Sequence, residues 1–145
     1  MKRLIRMVFP LFLLVLGCKS NRTSINSESI EEEIVYDYDL VIDKTINWSD
    51  IFNQQLEKYL VYVFSETCGH CNEIKEDIIK QALVREDFFF VSYSKEISVS
   101  EDVTNTIGKS DIGEISILGT PALLGVENGI LISNVAGQKA ILQAL

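Results

Sequence analysis

The chain reads as a single α/β domain carried behind a short N-terminal leader, and three observations predict it. From Ile34 onward, apolar runs of strand length alternate with stretches of helical period. Two cysteines, Cys68 and Cys71, stand two residues apart where one such run passes into a helical pattern. The length of 145 residues, with a hydrophobic content of 47%, suits one sizeable core.

The leader, MKRLIRMVFPLFLLVLGCKS, begins with Lys2, Arg3 and Arg6 and continues into an apolar run from Met7 to Leu16 that is too short to span a bilayer. Residues 1–17 read as a signal peptide. Val15-Leu16-Gly17-Cys18 resembles the lipobox of bacterial lipoproteins, with Leu16 a less usual residue before the small one. The resemblance implies that Cys18 receives a diacylglycerol, becomes the new N-terminus and anchors the protein to the extracytoplasmic side of a bacterial membrane. Of three cysteines, Cys68 and Cys71 are then the thiols left in the mature protein. Lys and Arg number 13 against 21 Asp and Glu, a net charge of −8 that becomes −11 once the three leader cations are removed. Such a chain lacks the basic footprint of a nucleic-acid binder, and the acyl chains must do the anchoring. Residues 18–33 are rich in Ser, Asn and Glu and read as a flexible tether.

The domain, residues 34–145, follows in order. EIVYDYDLVI, around Ile34 to Ile42, predicts a first strand. NWSDIFNQQLEKYL predicts a helix with Asn47 or Ser49 at its N-cap and an apolar stripe of Trp48, Ile51, Phe52, Leu56 and Tyr59. Leu60–Phe64 is a continuous apolar run, the pattern of a central strand buried on both faces. After the cysteines, Ile74, Ile78, Ile79 and Ala82 recur at helical spacing, with Glu73, Lys75, Glu76 and Lys80 on the other side. Phe88–Tyr93 predicts a third strand, and Glu101–Leu118 one helix with its connections. Thr120–Gly137 predicts a hairpin turning at Asn128-Gly129, and the last eight residues a closing helix.

Cys68-Gly69-His70-Cys71 after a buried strand, Gly119-Thr120-Pro121 opening the hairpin, and Glu127-Asn128-Gly129 with Gly137 before the last helix together resemble the thioredoxin-fold proteins, over roughly Leu60 to Leu145. The resemblance implies a thioredoxin fold, with a central mixed β-sheet flanked by helices. It implies a thiol–disulfide oxidoreductase, protein thiols and disulfides as partners, and a membrane redox protein that recycles the pair. It also implies a cis peptide before Pro121, where Thr120 would present its backbone to an extended substrate segment.

The residue types suit that chemistry. At a helix N-terminus, Cys68 has unpaired N–H groups and the positive end of the dipole beside its sulfur, which favours the nucleophilic thiolate. Cys71 lies one turn on along the same face, close enough to close a disulfide. Attack by Cys68 on a substrate disulfide gives a mixed disulfide that Cys71 resolves, and the reverse oxidises a dithiol. His70 beside the nucleophile would favour its thiolate and make the pair more oxidising. The Gly69-His70 dipeptide is the one found in eukaryotic protein disulfide isomerase, whereas thioredoxin carries Gly-Pro.

Other uses of the pair fit less well. Covalent haem needs His directly after the second cysteine, where Asn72 stands. A structural zinc needs four ligands, and His70 is the sole histidine. A disulfide closing so short a loop is a poor structural staple. No metal and no cofactor is expected. The chain departs from thioredoxin at Thr67, where the family has Trp, and at Tyr62, where it has a buried acid that accepts the resolving thiol's proton. Deprotonation of Cys71 must then rely on Glu66, water or a substrate group. Two alternatives stay open: a reductant dedicated to one client, such as apocytochrome or a secreted peptide, and a non-enzymatic binding lipoprotein of the same fold.

Overall fold

A computed structural model describes residues 33–145, within which the compact unit runs from Ile34 to Leu145. The signal peptide, Cys18 and the tether lie outside the described residues.

The apolar run at Leu60 forms strand β1, Lys58–Phe64, and the helical pattern after the cysteines forms α1, Gly69–Leu83. β2, Phe88–Ser92, returns parallel to β1 with Leu60 opposite Phe88 and Phe64 opposite Ser92. A parallel return needs a crossover, which α1 supplies. After a minor sheet of two parallel two-residue strands, β3 (Ser98–Val99) and β4 (Ser116–Ile117), the chain forms the predicted hairpin of β5, Ala122–Glu127, and β6, Ile130–Ala136. Asn128 (φ 52°) and Gly129 (φ 73°) carry the positive φ pair that a tight two-residue hairpin turn requires. β5 runs antiparallel to β1, so the main sheet has the order β2-β1-β5-β6, and α2, Gln138–Ala144, closes the chain.

Strand alternation sorts the core into two layers. Tyr62, Phe64, Phe88, Phe90 and Leu123 face α1 and α2 and pack on Cys71, Ile74, Ile78, Ile79, Ala82 and Ile141. Val61, Val63, Val91, Leu124 and Val126 face the other way, onto Trp48, Ile51, Ile97, Ile115 and Ile117. β1 is therefore buried on both faces, as its unbroken apolar run predicts.

Three predicted elements differ. Ile34–Ile42 is not a strand, because its apolar residues do not alternate between core and solvent. Ile34, Val35 and Ile42 are exposed, whereas Tyr38 and Val41, three apart, are buried. That spacing suits the 3₁₀ segment Tyr38–Lys44, which starts where the Asp37 carboxylate accepts from Tyr38 N–H at 2.7 Å. Just past that segment, Thr45 makes an isolated parallel bridge with Phe90. The helix expected from Asn47 stops after one 3₁₀ turn, Trp48–Asp50. The Ile51 carbonyl, which a further helical turn would use, instead accepts from the buried Tyr59 hydroxyl at 2.7 Å. Glu101–Leu118 holds two 3₁₀ turns, Thr104–Thr106 and Ile112–Glu114, in place of a helix. Asp102 and Asp111 side chains take backbone N–H groups two residues on, at 2.9 and 2.8 Å. Gly108 N–H and the Lys109 carbonyl pair with Leu131, both at 2.8 Å, so the backbone is committed elsewhere.

Candidate active site

β1 delivers the chain to a turn at Ser65–Thr67, whose first carbonyl accepts from Cys68 N–H at 3.1 Å. Cys68 is the N-cap of α1, and its carbonyl takes the Asn72 N–H at 3.1 Å. Its sulfur does what a capping oxygen would, accepting from Cys71 N–H at 3.3 Å. On the other side, Cys68 Sγ donates to the Thr120 carbonyl at 3.3 Å, across 52 residues of sequence. Thr120–Pro121 is a cis peptide, at the entry to β5. Cys68, Cys71 and Thr120 thus come together where the sequence places them. Both thiols are free, Cys68 half-buried and Cys71 fully buried.

The two sulfurs are driven apart in acidity. Burial by itself pushes the Cys68 thiol up, but hydrogen bonding from the Cys71 thiol, from Thr120, and from the Cys71 and His70 N–H groups outweighs it and holds Cys68 below its ordinary range. Cys71 is pushed up to about 11, chiefly by burial and then by the Cys68 sulfur, with the Ser65 backbone pulling the other way. One sulfur is primed as nucleophile and the other is kept protonated.

The His70 ring lies elsewhere than beside the nucleophile. Its Nδ1 faces Glu73 Oε2 at 3.6 Å, one turn along α1 on the solvent side. Gln138 of α2 closes over this pair, donating to the His70 carbonyl at 3.1 Å and to the Glu73 carboxylate. What position 70 brings to Cys68 is its backbone N–H. At Gly69 a Cβ would meet nothing within 4 Å, so the surface beside Cys68 is open. Glu66 is exposed beside Asp37, Tyr38, Asn72 and Lys75, and among the described residues its carboxylate makes no hydrogen bond to Cys71. Among the described residues no cluster of three or more His, Cys, Asp or Glu side chains could hold a metal.

The β1-α1-β2 parallel unit, the antiparallel β5-β6 hairpin beside it and a dithiol at the β1–α1 junction against a cis-proline decide the architecture. The domain has a thioredoxin fold. Among solved structures it is similar to thioredoxin f of spinach chloroplast, at 18% identity over 70% of this chain and 88% of that one, with a TM-score of 0.46. It is similar also to a Plasmodium falciparum thioredoxin, at 18% identity over 70% and 94% with a TM-score of 0.45. Mitochondrial thioredoxin 3 of Saccharomyces cerevisiae matches at 16% identity over 70% and 89%, with a TM-score of 0.45. No protein-family model and no curated protein sequence matches the chain.

Sequence reasoning did not anticipate Tyr38, Glu73 and Gln138 at the site. Glu73 is three residues from His70 on a predicted helix, a readable pair. Nothing in the sequence pattern brings Tyr38 or Gln138 there.

Proposed function

We propose that this protein is a thiol–disulfide oxidoreductase that exchanges disulfides with protein substrates through Cys68 and Cys71, anchored by a lipid on Cys18 at the outer face of a bacterial membrane. The observation that carries the activity is the asymmetric dithiol: a half-buried Cys68 thiol held below its ordinary range, and a buried Cys71 pushed up to about 11. Cys68 thiolate attacks a substrate disulfide, one substrate sulfur leaves as thiolate, and Cys71 then attacks Cys68 to release the other. An extended substrate segment would lie against Thr120 and Pro121, on the open side left by Gly69. The anchor and the extracytoplasmic address rest on the leader and on Val15-Leu16-Gly17-Cys18. A redox-capable cysteine pair suits that compartment, and a membrane redox protein would recycle it.

The direction of exchange has a second reading. With the His70 ring turned to Glu73, the reason for a strongly oxidising couple is weaker, which favours the dedicated reductant. Equilibration against glutathione buffers separates the two, since a potential near that of thioredoxin, about −270 mV, points to reduction. The activity itself is tested by trapping. Cys71→Ser expressed in the native host should hold protein substrates as mixed disulfides on Cys68, and Cys68→Ser should hold none. Equal capture of the same partners by both variants, released without any reductant, would leave a binding lipoprotein without exchange chemistry. Metabolic labelling with a clickable fatty acid should mark the wild type and not Cys18→Ala.

A further inference from the structure

The two halves of the site come from distant parts of the chain, and the residues where β6 passes into α2 bond to both. Gly137 N–H donates to the Pro121 carbonyl at 3.3 Å, next to the cis peptide whose Thr120 carbonyl meets Cys68. Gly137 has φ 88°, a backbone conformation that side chains rarely adopt, and it turns the strand into the helix at this point. The next residue, Gln138, reaches the cysteine turn from 68 residues away in sequence, donating through Nε2 to the His70 carbonyl at 3.1 Å and to the Glu73 carboxylate. A side-chain amide nitrogen carries two hydrogens, so both are used and the amide is fixed at two points. Glu73 is kept ionised as an acceptor, its carboxyl held below the usual range first by Gln138 and then by His70.

The carbonyl that Gln138 holds belongs to the peptide unit between His70 and Cys71. Such a unit is planar, and in the trans form its C=O and N–H point in opposite directions. The cis bond among the described residues is Thr120–Pro121, so this unit is trans. Its other end is the Cys71 N–H, which donates to Cys68 Sγ at 3.3 Å. Gln138 and the nucleophile therefore sit at opposite ends of one rigid dipole. A donor at the carbonyl end fixes the plane and polarises it, so that the N–H becomes a stronger donor at the sulfur end. The plane lies in the first turn of α1, where helices fray and an outside hold has the most to fix. The Cys71 N–H is one of the groups that keep Cys68 below its ordinary range, and it acts most on the thiolate because hydrogen bonds to a charged acceptor are the strong ones.

Resting on the oxidoreductase reading above, we propose that Gln138 is a positioning residue for the nucleophile: by holding the His70 carbonyl it aims and strengthens the Cys71 N–H that stabilises the Cys68 thiolate. It acts through the peptide unit and not on the sulfur itself. A better-stabilised thiolate is more populated at neutral pH and makes the reduced pair more stable, so the couple is more oxidising.

The test uses reduced full-length protein in detergent, carrying Gln138→Ala or Gln138→Glu. The first removes the amide; the second keeps its size but cannot donate once ionised and is repelled by Glu73. Iodoacetamide labelling of Cys68 across pH, mapped by mass spectrometry, reads both the thiolate midpoint and the rate on the plateau above it. Both variants should move the midpoint to higher pH, Gln138→Glu at least as far as Gln138→Ala, and equilibration against glutathione buffers should give a lower potential. The plateau rate should not fall, because the thiolate once formed is as accessible and slightly more basic. The melting temperature should stay near that of wild type, since the contact lies at the surface. His70→Ala, which keeps the carbonyl, should titrate as wild type. A wild-type midpoint in both Gln138 variants overturns the proposal. So does a shift that comes with a slower plateau or a lower melting temperature, which would make Gln138 a packing residue that holds α2 on α1. An equal shift in His70→Ala would assign the effect to the imidazole ring and overturns it too. If the wild-type protein exchanges no disulfide with glutathione, the oxidoreductase reading fails instead, and the labelling midpoint still decides the role of Gln138.

Discussion

Alkylation of the reduced protein across pH tests the asymmetry on which the functional reading rests. At pH 7 a thiol pushed up to about 11 is ionised in about one molecule in 10,000. Cys68, held below 9.0, is ionised in more than about one in 100. Thiolate populations therefore favour Cys68 by at least about 100-fold. The more basic thiolate is intrinsically the better nucleophile, and a Brønsted slope of about 0.4–0.5 over two pKa units returns roughly tenfold to Cys71. The remainder is an advantage of at least about tenfold for Cys68, before access is counted. Access adds to it, because Cys71 is 0% exposed. Reduced protein treated briefly with iodoacetamide, quenched and mapped by mass spectrometry should carry label on Cys68 from slightly acidic pH to about pH 9, with the ratio closing only as pH approaches 11. Equal labelling at pH 7, or faster labelling of Cys71, would refute the assignment of nucleophile and resolving thiol.

Further predictions follow from the same geometry. His70→Ala should leave the Cys68 pKa and the reduction potential within error, because the ring faces Glu73 at 3.6 Å on the solvent side of α1, where water screens the pair. His70→Pro also removes the N–H that helps Cys68, the smallest of its named supports, and should raise the Cys68 pKa and lower the potential; thiolate absorbance and glutathione equilibration read both, and equal effects of the two substitutions would return the tuning to the ring. Cys71 has a folded pKa raised from 9.0 to about 11, so its contribution to stability is fully present below pH 9 and is lost as pH rises to 11. Urea unfolding of the reduced wild type should thus lose about 2.7 kcal/mol relative to Cys71→Ala across that window, and parallel pH curves would refute the shift. At Gly125, where the β5-β6 register shifts, a Cβ would clash with Ser133 Oγ across the hairpin. Gly125→Ala should cost about 1–3 kcal/mol in wild type and clearly less in a Ser133→Ala background, with a double-mutant cycle as the measure.

Elements whose pattern is local and whose burial is complete are legible in the chain without its fold. The apolar run at Leu60–Phe64, the helical spacing from Ile74 to Ala82, and the Asn128-Gly129 turn each carry their own period or backbone requirement, and all three stand where they were expected. Cys68 and Cys71 could be placed on one helix face because three residues of helix fix their relation. Thr120 meeting Cys68 across 52 residues was legible only through the resemblance carried by Thr120-Pro121. Tertiary structure decided the rest, where local preference was weak and a distant group made the stronger claim on the backbone. Ile34–Ile42 has strand-like residues, yet the sheet bridge falls past it, at Thr45, and the core takes Tyr38 and Val41. The helix expected at Asn47 ends because the hydroxyl of Tyr59, on the following strand, occupies a carbonyl that it needed. The direction of the His70 ring depended on Glu73 and on a glutamine from the last helix. Tyr38 and Tyr62 enter the core layer that holds Cys71 from different segments, so no period in the sequence relates them.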